Sequence, residues 1–226
     1  RPRQGQGHAR PVDALIRGVV DTLLVTLSCS VAGFALGLLI ACARRLEPRG
    51  LVAVLAIYTY VFRAVPVLVL LFIVFFGLPP LGLQVPPLLA MVLSLGVVAS
   101  AYLAEVFRGA FQAIDPDEIL AAQATGLSRL QTLIHIELPQ MLRFAVPGMV
   151  NEFTTILKYS PFASMVGIAE ITRQAMNLTA TTLRGLEIYL AVGLLYFAIY
   201  RVLLVGIHWV ERRFRVPGLS PEPGRL

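Results

Sequence analysis

The feature that most constrains this chain is the length of its apolar runs. The hydrocarbon core of a bilayer, about 30 Å thick, is crossed by about 20 residues of α-helix. Runs of that length fall at about 18–43, 51–77, 86–107, 140–162 and 187–209. They predict an all-α, polytopic transmembrane helical bundle of five spans forming a single domain over residues 1–226. The first run is too long for a signal-peptide core and ends in Arg44 and Arg45 with no A-x-A-like cleavage site, so it stays as a span. Within it Ser30, Gly33 and Gly37 recur at helical spacing, and the G-x-x-x-G step lets another helix approach closely, although glycine is common in membrane helices generally.

Composition agrees with this reading. The chain is 57% hydrophobic and 14% charged, against about 45–50% and about 25% in soluble domains. Its net charge of +6 comes from arginines at the edges of apolar runs, with no basic block interleaved with aromatics, which argues against nucleic acid as a partner. The connections carrying Arg44, Arg45 and Arg49, and Arg108, Arg129 and Arg143, and the tail with Arg212, Arg213 and Arg215, read as cytoplasmic, whereas GLPPLGLQVPP is uncharged. Five spans then place the N-terminus outside and the C-terminus in the cytoplasm, against the contrary signal of Arg1, Arg3, Arg10 and Arg17. The sequence opens on Arg1 rather than Met, which points to a start upstream or to processing. Cys29 and Cys42 have no His or Cys at metal-ligand spacing and read as buried, reduced thiols, so no metal site is expected.

Between the third and fourth spans, residues 115–139 read DPDEILAAQATGLSRLQTLIHIELP. Asp115, Pro116 and Glu118 give an N-cap, a proline at the first helical position and a carboxylate in the first turn. Gly126 fits the left-handed position that ends such a helix. Ser128 and Gln131 form a capping box that opens a second helix, and Pro139 is expected to end it. Ala121, Ala122 and Ala124 leave part of this elbow small and smooth, suited to docking against another protein. The alternative is an interfacial helix pair lying on lipid headgroups.

At these residues the chain resembles the permease subunits of bacterial ABC importers, whose signature E-A-A-x3-G-x9-I-x-L-P is matched by Ala121, Ala122, Gly126, Ile136, Leu138 and Pro139, with Leu120 in place of Glu. The resemblance continues through VFRAVPVLVLLFIVFFGLP, AYLAEVFRGAFQAI and NEFTTILKYSPFASMVGIAEITRQA, and points to the polar amino-acid branch of type I importers, the histidine/glutamine/glutamate type. It implies that the elbow is a coupling helix seated in a groove of an ATPase subunit. The Leu120 departure puts electrostatic anchoring there in doubt but not the shape of the elbow. In the second span Tyr60, Ala64, Val65 and Leu70 replace the branch's Glu, Gly, Thr and Gln, while Arg63 and Pro66 remain. These apolar replacements favour pairing with a second, nonidentical permease.

Glu152 lies well inside the fourth run, where a carboxylate costs about 2.5–3.5 kcal/mol on insertion scales, so it is expected to face protein or a watery cavity. Thr155 and Tyr159 share its helical face, with Asn151 and Lys158 in a neighbouring stripe, and together they form a candidate substrate pathway. The family often has Asp where Tyr159 stands. The alternative is that Glu152 pairs with Arg63 or Arg173 to hold helices together. Glu105 and Arg108, three apart, read as a structural latch.

A P-loop requires G-x-x-x-x-G-K-[ST], but the only lysine is Lys158, followed by Tyr159. His8, His135 and His208 lie far apart, and no catalytic residues are expected. The chain therefore reads as a multi-pass inner-membrane permease subunit for amino-acid uptake with no cofactor of its own. The resemblance implies that ATP and Mg belong to a partner ATPase dimer, with an extracytoplasmic amino-acid-binding protein and membrane lipid as the further expected partners. The rival readings are an ion-coupled secondary transporter and a passive channel or scaffold.

Overall fold

A computed structural model describes residues 11–46 and 49–214. Arg1, Arg3, His8, Arg10 and Arg215, with the side chains of Arg49, His208, Arg212 and Arg213, lie outside the described residues. Regular structure among the described residues is all helical. α1 runs over Pro11–Leu46, α2 over Arg49–Ala64 and α3 over Val67–Phe72, the last continuing into a π-helical turn at Ile73–Gly77. α4 (Pro87–Met91) passes through a second π-helical turn at Val92–Gly96 into α5 (Val97–Gln112). α6 (Pro116–Ala124) and α7 (Arg129–Thr132) form the polar insert, and α8 covers Leu138–Tyr159. A 3₁₀ segment at Ser160–Val166, α9 (Ile171–Thr182) and α10 (Gly185–Phe214) complete the chain.

Among the described residues three helices are long and apolar enough to cross a membrane: Ala14–Leu46, Pro87–Gln112 and Gly185–Ile207. A fourth crossing is reached when the bent pair Gly50–Ala64 and Val67–Leu81 counts as one. This is fewer than the five spans expected. α8 has the length but carries Arg143, Glu152 and Lys158. The single span expected at 51–77 is in fact broken, with a bend of 98° between its two helices. Pro66 has no N–H to continue the ladder, and its ring disfavours helical geometry at Val65.

Pro139 is also corrected. It does not end the second elbow helix, because α7 runs through a π-helical turn at Leu133–Glu137 straight into α8. The Leu138 N–H reaches back five residues to the Leu133 carbonyl. That change of register accommodates a proline that would break a regular ladder.

α1 packs along α5 through its glycines. A Cβ at Gly33 would come within 2.9 Å of the Ala99 Cβ, and one at Gly37 within 2.9 Å of both the Leu103 Cβ and the Ser100 carbonyl oxygen. On either side of this seam the core divides in two. Val25, Cys29, Met91, Leu95 and Ile156 fill one half, and Leu103, Phe107, Phe111, Leu133 and Met141 fill the half nearer the insert. α2 crosses α5, with the Tyr58 and Ser100 hydroxyls 2.7 Å apart.

At the opposite end, α9 is fixed by Glu170. This fully buried N-cap accepts the N–H groups of Thr172 and Arg173, each at 2.8 Å, and the Tyr196 hydroxyl of α10 at 2.8 Å. Burial raises its carboxyl above the ordinary range against the pull of these bonds.

The seam predicts a graded response to bulk. Gly37→Leu forces α1 off α5, and overpacking of this kind costs about 1–3 kcal/mol. A Cβ at Gly109 on the same α5 meets nothing within 4 Å, so Gly109→Leu should leave thermal melting of the detergent-solubilised chain unchanged or slightly raised. Melting should fall only for Gly37→Leu.

Candidate functional site

The polar insert is built from its caps. Asp115 Oδ1 accepts the Asp117 N–H at 2.9 Å and starts α6. Gly126 turns the chain at φ +90°, with its N–H donated to the Gln123 carbonyl at 3.0 Å and the Leu127 N–H donated to the Ala122 carbonyl at 3.2 Å. The Ser128 N–H bonds Gln131 Oε1 at 2.9 Å, and the Gln131 N–H bonds Ser128 Oγ at 3.4 Å, which is the reciprocal capping box that opens α7.

The two faces of this elbow differ. Ala122 and Leu133 are buried, and Ile119 and Leu138 pack with Ile114, Phe111 and Met141 of the bundle. Ile136 is half-buried. Ala122, Ile136 and Leu138 therefore seat the elbow, while Ala121, Ala124, Gly126 and Pro139 are exposed. Ala122 does not contribute to the smooth outer surface expected of it, because α6 turns that residue towards the core. The outer surface carries Leu120, Leu130 and Ile134, which are 61%, 54% and 47% exposed. Leu130 and Ile134 escaped the sequence reading, although their i, i+4 spacing on a polar helix was a usable signal. Glu118, three-dimensionally close to the start of α8, accepts from Gln140 Nε2 at 2.5 Å and so ties α6 to α8.

Charged pairs tie this end to the spans. Arg44 Nη1 and Arg108 Nε both donate to Glu105, at 2.5 and 2.7 Å. Arg45 Nε donates to Glu137 at 2.5 Å, and Arg129 Nη2 donates to the Arg45 carbonyl at 3.1 Å. Glu137 is 4% exposed, at the end of the π-helical turn leading into α8. The Glu105–Arg108 latch was legible from spacing. Its extension to Arg44, and the Arg45–Glu137 pair, join residues 61 and 92 positions apart and left no local signal.

On α8 the predicted pathway residues share a helix without converging on one point. Asn151, Lys158 and Tyr159 are exposed, Thr155 is half-buried, and Glu152 is buried at 8% exposure. Lys158 Nζ lies over the Tyr200 ring at 5.7 Å, Tyr159 stacks on Phe162 at 5.6 Å, and the Thr155 hydroxyl donates to the Asn151 carbonyl at 2.9 Å. Glu152 makes no hydrogen bond or ion pair among the described residues, yet its oxygens are not sealed from the surface. No contact ion pair joins Glu152 to Arg63 or Arg173 among the described residues, but Arg63 is near enough for its charge to act on Glu152, with its guanidinium 5.1 Å over the Tyr102 ring. Among the described residues no three His, Cys, Asp or Glu side chains come together to hold a metal ion.

The family described as "Binding-protein-dependent transport system inner membrane component" matches residues 33–216. The chain is 32% identical over 209 residues to the glutamine transport system permease protein GlnP of Escherichia coli strain K12, covering 91% of this chain and 94% of that protein. It is 31% identical over 213 residues to the histidine/lysine/arginine/ornithine transport system permease protein HisQ of Salmonella typhimurium, covering 89% and 93%. A chain of a solved amino-acid ABC transporter crystallised with histidines superposes with a TM-score of 0.81 at 31% identity, covering 89% of this chain and 94% of that one.

The buried carboxylate of Glu137 yields a cycle to measure. Arg45→Ala leaves it without its charged partner, and loss of a hydrogen bond to a charged group costs about 1.5–3 kcal/mol. Adding Glu137→Gln should recover part of that melting loss; a double variant no more stable than Arg45→Ala would show that the pair is not coupled.

Proposed function

This chain belongs to the binding-protein-dependent transport system inner membrane component family, and from that membership we propose how its surfaces divide the work of an import cycle. It is the transmembrane permease component of an ABC-type amino-acid importer and acts with a partner ATPase and a partner permease. In our reading α8 and the bent 50–81 pair complete five crossings, with the N-terminus outside and the elbow and C-terminus in the cytoplasm of the bacterial cell. The second permease is nonidentical, and an extracytoplasmic binding protein delivers the amino acid to the outer face. ATP and Mg are held by the ATPase dimer.

The observation that carries this division is the apolar trio Leu120, Leu130 and Ile134, exposed on an otherwise polar elbow whose other face is packed into the bundle. A groove on the ATPase covers that trio. Because Glu118 is already bonded to Gln140, it does not replace the acidic anchor absent at position 120, and docking rests on shape and apolar contact. Ala121, Ala122, Gly126, Ile136, Leu138 and Pro139 hold that shape. When the ATPases close on ATP, the elbow moves with α8, to which it is continuous.

Glu152, with Asn151, Thr155, Lys158 and Tyr159, forms this subunit's share of the substrate pathway. Two relatives of nearly equal identity carry different amino acids in their names, glutamine for one and basic residues with histidine for the other. With one carboxylate on its face, α8 binds the ammonium group common to all α-amino acids better than it clamps a guanidinium, which favours bidentate carboxylate partners. Neutral or acidic polar amino acids are therefore the preferred cargo.

Gly126→Val places a β-branched residue at φ +90°, a geometry costing about 1–2 kcal/mol for an L-residue. Insertion and assembly of the complex should persist while substrate-stimulated ATP hydrolysis falls; normal transport by this variant would refute docking through the elbow. Leu120→Ala should weaken ATPase retention during copurification, with little response to moderate salt.

Glu152→Gln keeps shape and removes charge. The complex should assemble, retain basal ATP hydrolysis and lose substrate affinity or uptake. Binding, melting and uptake measured on one preparation separate this from helix packing, for which melting would fall first and affinity would be unchanged.

A further inference from the structure

Where α1 and α5 end and α2 begins, a cleft of about 160 Å³ opens between the three helices. Its apolar lining is Ala41, Val52 and Phe111, and its charged lining is Arg44, Arg45 and Arg108. Among the described residues no carboxylate lines it, although two stand behind the arginines. Glu105 takes one N–H from Arg44 and one from Arg108, and Glu137 takes one from Arg45. Among the described residues three guanidinium groups against two carboxylates leave one positive charge, and Arg129, bonded to the Arg45 carbonyl, adds a second. A guanidinium has five N–H donors in a planar fork, so each arginine keeps donors beyond the one its carboxylate uses. The carboxylates orient the forks without consuming them.

The cleft therefore suits an oxyanion with several acceptor oxygens, and a phosphate is the group that arginine forks recognise best. Its place decides the source. It lies at the ends of the apolar helices Ala14–Leu46 and Pro87–Gln112, the depth at which lipid headgroups sit. The helices that border it turn Leu39, Leu51 and Val54 outward, away from the lining residues, as helices against hydrocarbon do. A free phosphate would have to reach this level from water, whereas a lipid headgroup already sits there.

We propose that this cleft holds the phosphate headgroup of an anionic membrane lipid. The lipid bridges α1, α2 and α5 beside the Glu105 latch.

The test is native mass spectrometry of the full chain in detergent, titrated with phosphatidylglycerol and with phosphatidylcholine of the same acyl chains. Wild-type protein should retain phosphatidylglycerol preferentially. Arg108→Gln leaves Glu105 paired with Arg44 and should weaken that binding by about fivefold, the effect of ~1 kcal/mol per basic residue near an anionic surface. Val52→Trp fills the cleft without changing charge and should remove the preference as well, with phosphatidylcholine binding unchanged in both variants. Equal binding of the two lipids by wild-type protein, or a preference that survives both substitutions, overturns the site. Inorganic phosphate in large excess should fail to displace phosphatidylglycerol; full displacement would make the cleft a free-anion site and overturn its assignment to lipid. Because the readout involves neither transport nor ATP hydrolysis, its failure is separate from failure of the elbow docking.

Discussion

The close approach of α1 to α5 is the contact on which the other elements depend. Between helices in lipid there is no gain from leaving water, so association rests on packing and on the few polar contacts that small residues permit. Gly33 and Gly37 bring the backbone of α1 against Ala99, Ser100 and Leu103, and both halves of the core form beside that line. α5 then offers its remaining faces to α2 and α8. Had α1 been held off by side chains at those two positions, Arg44 would not reach Glu105, and the charged latch at the end of the bundle would be lost.

The insert is tied to the long helices by contacts of three kinds. The elbow is joined to the bundle covalently through the π-helical turn into α8, by apolar burial of Ala122 and Leu133, and electrostatically by Arg45–Glu137 and Gln140–Glu118. A push on Leu120 or Ile134 therefore meets three connections to the bundle. A part-buried pair such as Arg45–Glu137 gains little net stability, because desolvation offsets attraction, but separating it is costly. Its value here is in keeping the elbow and the C-terminal end of α1 together as one piece.

Helix ends written in local chemistry were legible in the sequence: the Asp115 cap, the Gly126 turn and the Ser128–Gln131 box all form where their residue types require. Two prolines were misread for opposite reasons. Pro66 sits in an unbroken apolar run, and hydropathy cannot register a bend of 98° that the missing N–H produces. Pro139 looks like a stop, but a wide helical turn ahead of it supplies the register change that spares the ladder. Which face of the elbow is free was likewise hidden. Ala121 and Ala122 are alike in composition, yet one is exposed and the other buried, a difference set by the bundle beneath. Arg45–Glu137 and the Glu170–Tyr196 contact depend on tertiary approach and had no local signature.

The polar face of α8 is unusual for a chain whose exposed surface is otherwise so apolar. α10 turns Leu190, Leu194, Phe197 and Val202 outward, as a helix against lipid does, but α8 exposes Asn151 and Lys158 and holds Glu152 with no hydrogen bond among the described residues, under the charge of Arg63 alone. Hydrocarbon is a poor environment for such groups, so this face is complete only when something wet or polar adjoins it. Lys158 is drawn aside onto Tyr200 and Tyr159 onto Phe162, which leaves Glu152 as the charged side chain of this face that no aromatic ring engages. One carboxylate can attract an ammonium but cannot fix the orientation of a whole amino acid. On the function proposed above, selectivity would therefore rest with the paired permeases, the residues that discriminate one side chain from another lying in part on the facing subunit.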